Sequence, residues 1–248
     1  MRLRSLEVAI EGVPPELDGV RIVHLSDFHL GLPSRGAVAV ERAVEWTAER
    51  KPDLVCLSGD LLSRGSGESR LRELLERLPG PAFAILGNHD FAISRDPFSE
   101  RTALVELGHV GLLSDEGQTI ELRGKRIYVA GSDPRARWSR KRKRPSELAV
   151  DDADLSILLC HYPQAIDGLP PGAFDLVLAG HMHDGQISIP LPGTKLRLAH
   201  PTARYTSGLY RRPGGVLHVS PGLGTTFVPF RFFARPEATE LTLRRLDE

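Results

Sequence analysis

The chain has 248 residues, of which 41% are hydrophobic and 26% are charged, and its 32 basic residues equal its 32 acidic residues in number. This composition is typical of a soluble globular protein, and the length suits one large α/β domain with a substantial core. No stretch approaches the roughly 20 apolar residues that a membrane-spanning helix needs. Two cysteines are too few for a disulfide-rich scaffold.

The surroundings of the cysteines and the N-terminus both predict a location. Cys56 and Cys160 lie in apolar, strand-like runs, so we expect buried free thiols in a reducing compartment. Residues 1–7 lack the apolar core of a signal peptide. We therefore expect a cytoplasmic protein.

The predicted elements alternate between strand and helix in the first half of the chain. Residues 3–10 and 20–26 have the apolar pattern of strands. Apolar residues at helical spacing predict helices over 36–50 and 71–78, and the second stops at a Pro-Gly pair. A third helix is predicted over 97–107, because a proline opens it and a glycine follows it.

The second half is richer in strands and turns. Residues 120–129 predict a hairpin about the turn Arg-Gly-Lys, and prolines and a glycine within 187–198 indicate a second hairpin-like excursion. Residues 216–219 and 241–243 have the pattern of closing strands. No internal repeat or linker is visible, so we expect a single domain over residues 1–248.

Five polar clusters follow five apolar, strand-like runs, which end at residues 25, 57, 86, 160 and 179. The clusters are Asp27-Phe28-His29, Gly59-Asp60, Gly87-Asn88-His89-Asp90, His161 and Gly180-His181-Met182-His183. Each cluster alone is weak, since Gly-Asp is a common turn and a single histidine is usually structural. Five in order, each behind a strand, predict a site at the carboxyl ends of the strands.

The residue types in these clusters point to a pair of divalent metals. Two such ions roughly 3.5–4 Å apart clamp a phosphoryl group and generate hydroxide near neutral pH. They need one bridging carboxylate, for which Asp60 is the candidate, together with imidazole and oxygen ligands. Gly59 lets the backbone turn sharply beside it. Of the other histidines, we expect His24, His109 and His218 to be structural, whereas His200 could line the cleft.

The ordered pattern D-x-H, G-D, G-N-H-D, H and G-H-x-H resembles the calcineurin-like metallophosphoesterase superfamily over about residues 20–225. Residues 24–31 (H-x-S-D-x-H-x-G) and 180–186 (G-H-x-H-x-G-Q) are most similar to a bacterial branch of phosphodiesterases. The superfamily also contains pyrophosphatases that cleave UDP-diacylglucosamine. The resemblance implies an α/β fold, a four-layer α-β-β-α sandwich of two mixed sheets flanked by helices.

The resemblance also implies a role for each cluster. It assigns the first metal to Asp27, His29, Asp60 and His183, and the second to Asp60, Asn88, His161 and His181. His89 would face the substrate and protonate the leaving oxygen, with Asp90 orienting its imidazole. Asp184 departs from the pattern, since this branch commonly has glycine there. Manganese is the first expectation for the metals, and iron, zinc, cobalt or nickel also suit these ligands.

Residues 135–144 hold seven of the 32 basic residues and no acidic one. We expect a loop at the rim of the cleft, with Arg135, Arg137 and Arg140 as candidate substrate contacts. The loop could be a solvated charge run, or it could recruit an anionic substrate or anionic lipid. Nucleic acid fits less well, because Trp138 is the only interleaved aromatic residue. The aromatic segment 227–233 also favours lipid contact, although we expect it to form strand core and a loop.

The expected function is hydrolysis of a phosphodiester or pyrophosphate bond by a binuclear centre through metal-bound hydroxide, on a substrate that could be a nucleotide-lipid such as UDP-diacylglucosamine. Peripheral contact with the inner membrane face would fit such a substrate. The alternatives are a phosphomonoesterase or protein phosphatase, a nuclease or cyclic-nucleotide phosphodiesterase, and a non-catalytic binding scaffold on the same fold.

Overall fold

Two six-stranded sheets form the centre of the protein, whose computed structural model describes residues 1–246. The first sheet has the order β1 (Arg2–Ile10), β14 (Glu237–Arg245), β2 (Arg21–Leu25), β3 (Leu54–Leu57), β4 (Ala82–Ala84) and β5 (Gly111–Leu112). The second has the order β12 (Gly208–Arg212), β13 (Gly215–Val219), β9 (Leu176–Ala179), β8 (Leu155–Leu159), β7 (Lys125–Gly131) and β6 (Glu116–Leu122).

Parallel pairing dominates the middle of both sheets. Strands β2 to β5 are parallel in the first sheet, and β13, β9, β8 and β7 are parallel in the second. Antiparallel pairs involve β14 with β2, β12 with β13, and β6 with β7, so both sheets are mixed. Because parallel strands end at one edge of a sheet, the polar clusters that follow them converge.

Alternate residues of the central strands form the core between the sheets. In β3, Leu54 and Cys56 point to the second sheet, where they join Ile157 and Leu178 in one buried cluster. The other faces of these strands pack outward, which explains why the runs are apolar at every position. Both cysteines are buried and free, as predicted.

Helices cover the first sheet, and short 3-10 turns cover the second. Helix α1 (Gly36–Arg50) and helix α2 (Glu68–Glu76) pack their apolar residues on the outer face of β2 and β3. The outer face of the second sheet packs against 3-10 helices at Pro145–Leu148 and Pro163–Gly168. The predicted α/β sandwich is confirmed, with its fourth layer built from 3-10 turns and loops instead of α-helices.

The predicted third helix is wrong, since residues 97–107 are irregular. Their backbone donors are engaged outside the segment: the Glu100 amide donates to the carbonyl of Ser63 at 2.7 Å, and the Thr102 amide to the carbonyl of Asp90 at 3.0 Å. These long-range bonds replace the i to i−4 bonds of a helix.

Both predicted hairpins are present. Arg123 and Gly124, with φ values of 53° and 73°, form the turn between β6 and β7. The second hairpin is β10 (Ser188–Leu191) with β11 (Thr194–Arg197), and it stands apart from the two main sheets. Within residues 1–246, no helix has both the length and the apolar character needed to cross a bilayer.

The expectation that 227–233 contributes strand core is wrong. Its four phenylalanines are between 50% and 57% exposed: Phe227, Phe230, Phe232 and Phe233. The segment pairs with the rest of the chain only through isolated bridges of Phe232 and Phe233 with Ile187, as far as the described residues show. Its aromatic side chains therefore project from the surface.

Candidate metal centre

All seven predicted ligands lie together where the two sheets end. Each follows a central strand: Asp27 and His29 after β2, Asp60 after β3, Asn88 after β4, His161 after β8, and His181 and His183 after β9. Potential ligand atoms within 4.8 Å of one another form three groups: Asp27 with His29 and His183, His29 with Asp60 and His89, and Asp60 with His161 and His181. The sequence spacing therefore predicted a real convergence of side chains.

Asp60 is the central carboxylate of this cluster. Its side chain is 1% exposed, and Oδ2 lies 3.2 Å from Nε2 of His161 and 3.6 Å from Nε2 of His29. Its other oxygen accepts a hydrogen bond of 2.8 Å from the amide of His89. Asp60 thus faces both halves of the cluster, as a bridging carboxylate must.

The first half of the cluster gathers around Asp27. Oδ1 of Asp27 lies 3.3 Å from Nε2 of His183 and 3.9 Å from Nε2 of His29. The two Nε2 atoms of these histidines are 3.0 Å apart. Nδ1 of His29 bonds the hydroxyl of Ser63 at 3.0 Å, which fixes the ring so that Nε2 points inward.

The second half is oriented by a backbone carbonyl. Nδ1 of His161 donates to the carbonyl of Ser58 at 2.8 Å, so the inward Nε2 is the nitrogen available as a ligand. That Nε2 lies 2.9 Å from Oδ1 of Asn88. The His181 ring stacks edge-on against His161, with 5.0 Å between the ring centroids. The donor set is imidazole, carboxylate and amide oxygen, which suits a divalent transition metal.

Burial and mutual charge set the protonation of these groups. Burial lowers the pKa of both His29 and His181, which keeps their rings neutral and able to bind a metal. Burial opposes ionisation of Asp60, but the charges of His161 and His89 outweigh it and lower the pKa of the carboxyl. Burial likewise disfavours charge on His161, yet Asp60 raises the pKa of this ring to about 9. The proton on His161 must therefore leave when a metal binds.

Backbone strain is concentrated at the same positions. Five of the seven residues have left-handed φ values between 50° and 70°: Asp27, His29, Asp60, His181 and His183. Non-glycine residues seldom adopt this conformation, and each instance costs of order 1–3 kcal/mol. The fold tolerates this cost because the positive φ turns each side chain back into the cluster.

Two glycines make room for the carboxylates. A Cβ on Gly180 would lie 2.0 Å from Oγ of Ser26 and 2.4 Å from Oδ2 of Asp27. A Cβ on Gly87 would lie 2.1 Å from Oδ1 of Asp60. The glycines of the G-N-H-D and G-H-x-H motifs are thus required by the close approach of the backbone to the acidic side chains.

The comparisons with known proteins agree with this geometry. The sequence profile described as calcineurin-like phosphoesterase matches residues 20–185, about two thirds of the chain. The chain belongs to the calcineurin-like phosphoesterase family. Its members are phosphoesterases that use divalent metals, so this protein is a hydrolytic enzyme.

Curated relatives of this phosphoesterase match it over nearly its whole length. It is 29% identical to the uncharacterized metallophosphoesterase YkuE of Bacillus subtilis, over 94% of this chain and 82% of that protein. It is 26% identical to the phosphodiesterase YaeI of Escherichia coli, over 90% and 82%. A transmembrane protein with metallophosphoesterase domain from Danio rerio is 33% identical over 97% of this chain, which spans 57% of that protein.

The expected pairing of Asp90 with the imidazole of His89 is wrong. The Asp90 carboxylate accepts backbone hydrogen bonds from Gly87 and Leu62 at 2.8 Å and from Leu61 at 3.2 Å. Burial and the charge of Asp60 raise the pKa of Asp90 to about 7. In this phosphoesterase Asp90 therefore fixes the loops that follow β3 and β4 relative to each other.

His89 is oriented by hydroxyl groups instead. Its Nδ1 bonds Oγ of Ser99, and Oδ2 of Asp96 lies 4.0 Å away. Its Nε2 faces the cluster, 4.0 Å from Oδ2 of Asp60. Ser99 lies in the irregular segment 97–107, which places its hydroxyl beside the ring. Because this segment was predicted to be helical, the contact was not predicted.

Sequence reasoning missed Arg231, a cation beside the first half of the cluster. Nη2 of Arg231 contacts Nδ1 of His183 at 2.8 Å, and its other nitrogens donate to the carbonyls of Pro221 and Gly224, both at 2.7 Å. Burial lowers the pKa of this guanidinium to about 10, so it is charged at neutral pH. An arginine in a loop 48 residues away carries no motif that would identify it.

Asp184 is neither a ligand nor solvent-exposed. Its carboxylate is engaged by Lys195 at 2.9 Å and by Arg197 at 3.0 Å, both on β11, and by the hydroxyl of Ser207 at 3.2 Å. This carboxylate anchors the β10–β11 hairpin to the loop that carries His183.

The three basic residues predicted to contact substrate lie in different environments. Arg135 forms a bidentate ion pair with Asp133, and its Cζ lies 3.9 Å from the ring centroid of Phe91. Arg137 is exposed beside the rings of Trp138 and Tyr162. Arg140 is exposed and has no hydrogen bond or ion pair within residues 1–246. The segment was predicted as a loop, but residues 135–137 belong to the 3-10 helix Pro134–Arg137, and only the remainder is irregular. Arg137 and Arg144 line a cavity together with His161.

The remaining histidines separate as expected. Nδ1 of His24 contacts Nδ1 of His218 at 2.8 Å in the interior, and His109 contacts the carbonyl of Leu78 at 3.1 Å. All three lie outside the ligand groups. The ring of His200 lies 5.2 Å from that of His181, at the margin of the centre.

The contact between Gly180 and Asp27 generates a prediction. We expect Gly180→Ala to weaken divalent-metal binding by about 10- to 100-fold, with manganese as the probe, because the new methyl group displaces the Asp27 carboxylate. Isothermal titration calorimetry on chelated protein measures this change. Gly65→Ala is the control, since a Cβ there meets no atom within 4 Å. Equal affinities in the two variants would contradict the placement of Asp27.

Proposed function

We propose that this phosphoesterase hydrolyses phosphodiester or pyrophosphate bonds with a binuclear metal centre. The observation that carries the proposal is the position of Asp60, which faces both halves of the ligand cluster within 3.2 to 3.6 Å of two imidazoles. One buried carboxylate shared by two ligand sets is what a metal pair requires, since it offsets the repulsion between the ions.

We assign ligands to each ion on this geometry. The first ion would be held by Asp27, His29, Asp60 and His183, and the second by Asp60, Asn88, His161 and His181. When bound, two divalent ions polarise a phosphoryl group and lower the pKa of a water molecule. Manganese is the proposed metal, and iron, zinc, cobalt or nickel would suit the same thiolate-free set.

The protein's own groups have defined tasks in this proposal. His89, held through Nδ1, presents Nε2 toward the cluster and gives a proton to the leaving oxygen. Asp90 is a positioning residue, because its three backbone contacts fix the loops that carry Asp60 and His89. The name of the relative YaeI, a phosphodiesterase, supports the diester over the monoester.

The activity is tested with chelated protein restored with manganese. We expect faster hydrolysis of bis(p-nitrophenyl) phosphate than of p-nitrophenyl phosphate. Asp60→Asn should lower kcat/KM by more than about 100-fold, because the shared ligand loses its charge. His109→Gln is the control, since it removes a histidine outside the ligand groups.

The outcomes separate the alternatives. Preference for the monoester would favour a phosphomonoesterase or protein phosphatase. Inactivity on both esters with metal bound would favour a binding scaffold. Full activity in Asp60→Asn would contradict the binuclear assignment.

We further propose peripheral contact with anionic lipid at the inner membrane face, which would fit a nucleotide-lipid substrate such as UDP-diacylglucosamine. An exposed apolar surface borders the centre and supports this proposal. It consists of Ile189, Leu191, Leu196 and Leu198 from the β10–β11 hairpin and Phe227, Phe230, Phe232 and Phe233, each 40% to 57% exposed. Clustered apolar exposure of this kind marks an interaction site.

The two segments of the apolar surface form one unit. The amide of Ser188 donates to the carbonyl of Phe232 at 2.8 Å, and the side-chain amide of Gln186 donates to the carbonyl of Val228 at 3.0 Å. His200, which follows the hairpin, stacks near His181. A membrane that contacts the apolar surface would therefore lie beside the centre.

Charge favours anionic lipid over a second copy of the chain. Residues 185–236 contain seven basic residues and no acidic one, and residues 135–144 contain another seven. Of the first seven, Lys195 and Arg197 pair with Asp184, and Arg231 is buried beside His183. The rest of the chain carries 18 basic and 32 acidic residues, so positive charge is concentrated in these two segments of the sequence. Two such basic surfaces would repel each other in a symmetric dimer, whereas anionic headgroups attract them.

Vesicle flotation tests this contact. We expect the protein to bind vesicles with about 30% phosphatidylglycerol, which have a negative surface. We expect no binding to vesicles of pure phosphatidylcholine. Phe230→Ser should weaken binding by about 10-fold, since it removes one exposed aromatic side chain that the membrane would bury. Val105→Ser is the control, because Val105 is 83% exposed outside the apolar surface. Absence of vesicle binding, or a dimer that Phe230→Ser dissociates, would overturn the proposal.

A further inference from the structure

A cavity of about 560 Å³ adjoins His161 on the side of the basic loop. Its walls come from the 3-10 helix Pro134–Arg137, the start of the 3-10 helix at Pro145, and the 3-10 helix Pro163–Gly168. The volume is within the range of about 300–1,000 Å³ that is typical of sites for small molecules. None of the tasks proposed above uses this space.

Two arginines supply positive charge to the cavity. Arg137 lines it, with its Cζ 5.9 Å from the ring centroid of Tyr162, and pairs with no carboxylate of residues 1–246. Arg144 also lines the cavity and has only a loose ion pair, 3.9 Å from Glu147, with its side chain 81% exposed. Both guanidinium groups are therefore free to bind an anion.

The acidic and thiol groups of the cavity wall do not offset this charge. The carboxylate of Asp133 is 1% exposed and already paired, with Arg135 at 2.6 Å and with Arg142 at 3.4 Å. Burial raises the pKa of Cys160 to about 12, so its thiol is neutral. The cavity is left with a net positive charge. The ion pair also explains why Arg135, predicted as a substrate contact, is unsuited to that role.

Tyr162 connects the cavity with the candidate metal centre. Its ring centroid lies 5.3 Å from that of His161 and 4.7 Å from that of His181. On its other side it meets the ring of Trp138 at 5.7 Å. The Tyr162 ring therefore contacts two histidines of the centre and also lies 5.9 Å from Cζ of Arg137.

We propose that this cavity binds a second phosphate group of the substrate, one that is not hydrolysed, through Arg137 and Arg144. The inference rests on the proposed function, because it places the scissile phosphorus at the candidate metal centre. It narrows the substrate class to phosphoesters with another phosphate near the scissile one. That phosphate is either directly bonded, as in a pyrophosphate, or carried on the leaving or retained group.

Kinetics on matched substrates test the inference. The substrates are two p-nitrophenyl phosphodiesters that differ only in whether the second ester group carries a terminal phosphate. We expect the phosphorylated ester to have a KM about 10-fold lower, a difference that Arg137→Gln abolishes and Arg137→Lys largely retains. Lys143→Gln, which removes a charge from the same loop outside the cavity wall, should retain it. If Lys143→Gln also abolishes the KM difference between the two esters, the effect is not specific to the cavity and the proposal is overturned.

A pyrophosphate substrate distinguishes the two possible positions of the second phosphate, directly bonded to the scissile phosphate or carried on the attached group. A symmetric dinucleoside pyrophosphate cleaved with a KM that Arg137→Gln raises would identify a directly bonded phosphate. Sensitivity to Arg137→Gln only for the ester with the terminal phosphate would identify a phosphate on the attached group. Insensitivity of both substrates would overturn the proposal.

Binding of inorganic phosphate to chelated protein separates this inference from the proposed function. By isothermal titration calorimetry, we expect Arg137→Gln to raise the Kd by about 10-fold and Lys143→Gln to leave it unchanged. Hydrolysis of neither ester, combined with this binding pattern, would overturn the proposed function and retain the anion site. An unchanged Kd in Arg137→Gln would overturn the anion site, whatever the enzyme hydrolyses.

Discussion

Three carboxylates buried in one cluster are the constraint on which the rest of the site depends. Asp27, Asp60 and Asp90 are each at most 1% exposed, and a buried ionised carboxylate costs several kcal/mol unless it is compensated. Asp90 receives three backbone N–H donors, whereas Asp27 and Asp60 face imidazoles. The strained φ values and the close-packed glycines serve this arrangement. Divalent cations, which the family uses, would compensate the negative charges of Asp60 and Asp27.

The two halves of the cluster differ in the groups that orient their imidazole rings. The second half is oriented by the Ser58 carbonyl, which leaves Nε2 of His161 pointing inward. In the first half, Arg231 contacts Nδ1 of His183 at 2.8 Å and places a positive charge beside that ring. The same guanidinium ties the loop of residues 221–234 to the centre. The apolar surface and the first half of the cluster are thus joined through one side chain.

The sequence predicted the parts of the fold that depend on local patterns. Buried strands and two-residue turns leave a local signature, and the five clusters follow strands whose parallel pairing brings their ends together. Features set by distant partners were not predictable. The helix predicted over 97–107 is absent because the backbone of this segment bonds to Ser63 and Asp90. The pairing of Asp184 with β11 has no local signal in the sequence. The aromatic segment 227–233 has the composition of a core strand, and only the tertiary structure shows that its side chains are exposed.

Electron paramagnetic resonance of the chelated protein restored with manganese tests the central claim that Asp60 joins two metal ions. The account predicts about two bound manganese ions per chain and a spectrum of an exchange-coupled pair, because one carboxylate connects ions roughly 3.5–4 Å apart. Asp60→Asn should abolish the coupling. A single bound ion, or two ions with uncoupled spectra in the unmodified protein, would contradict the binuclear centre.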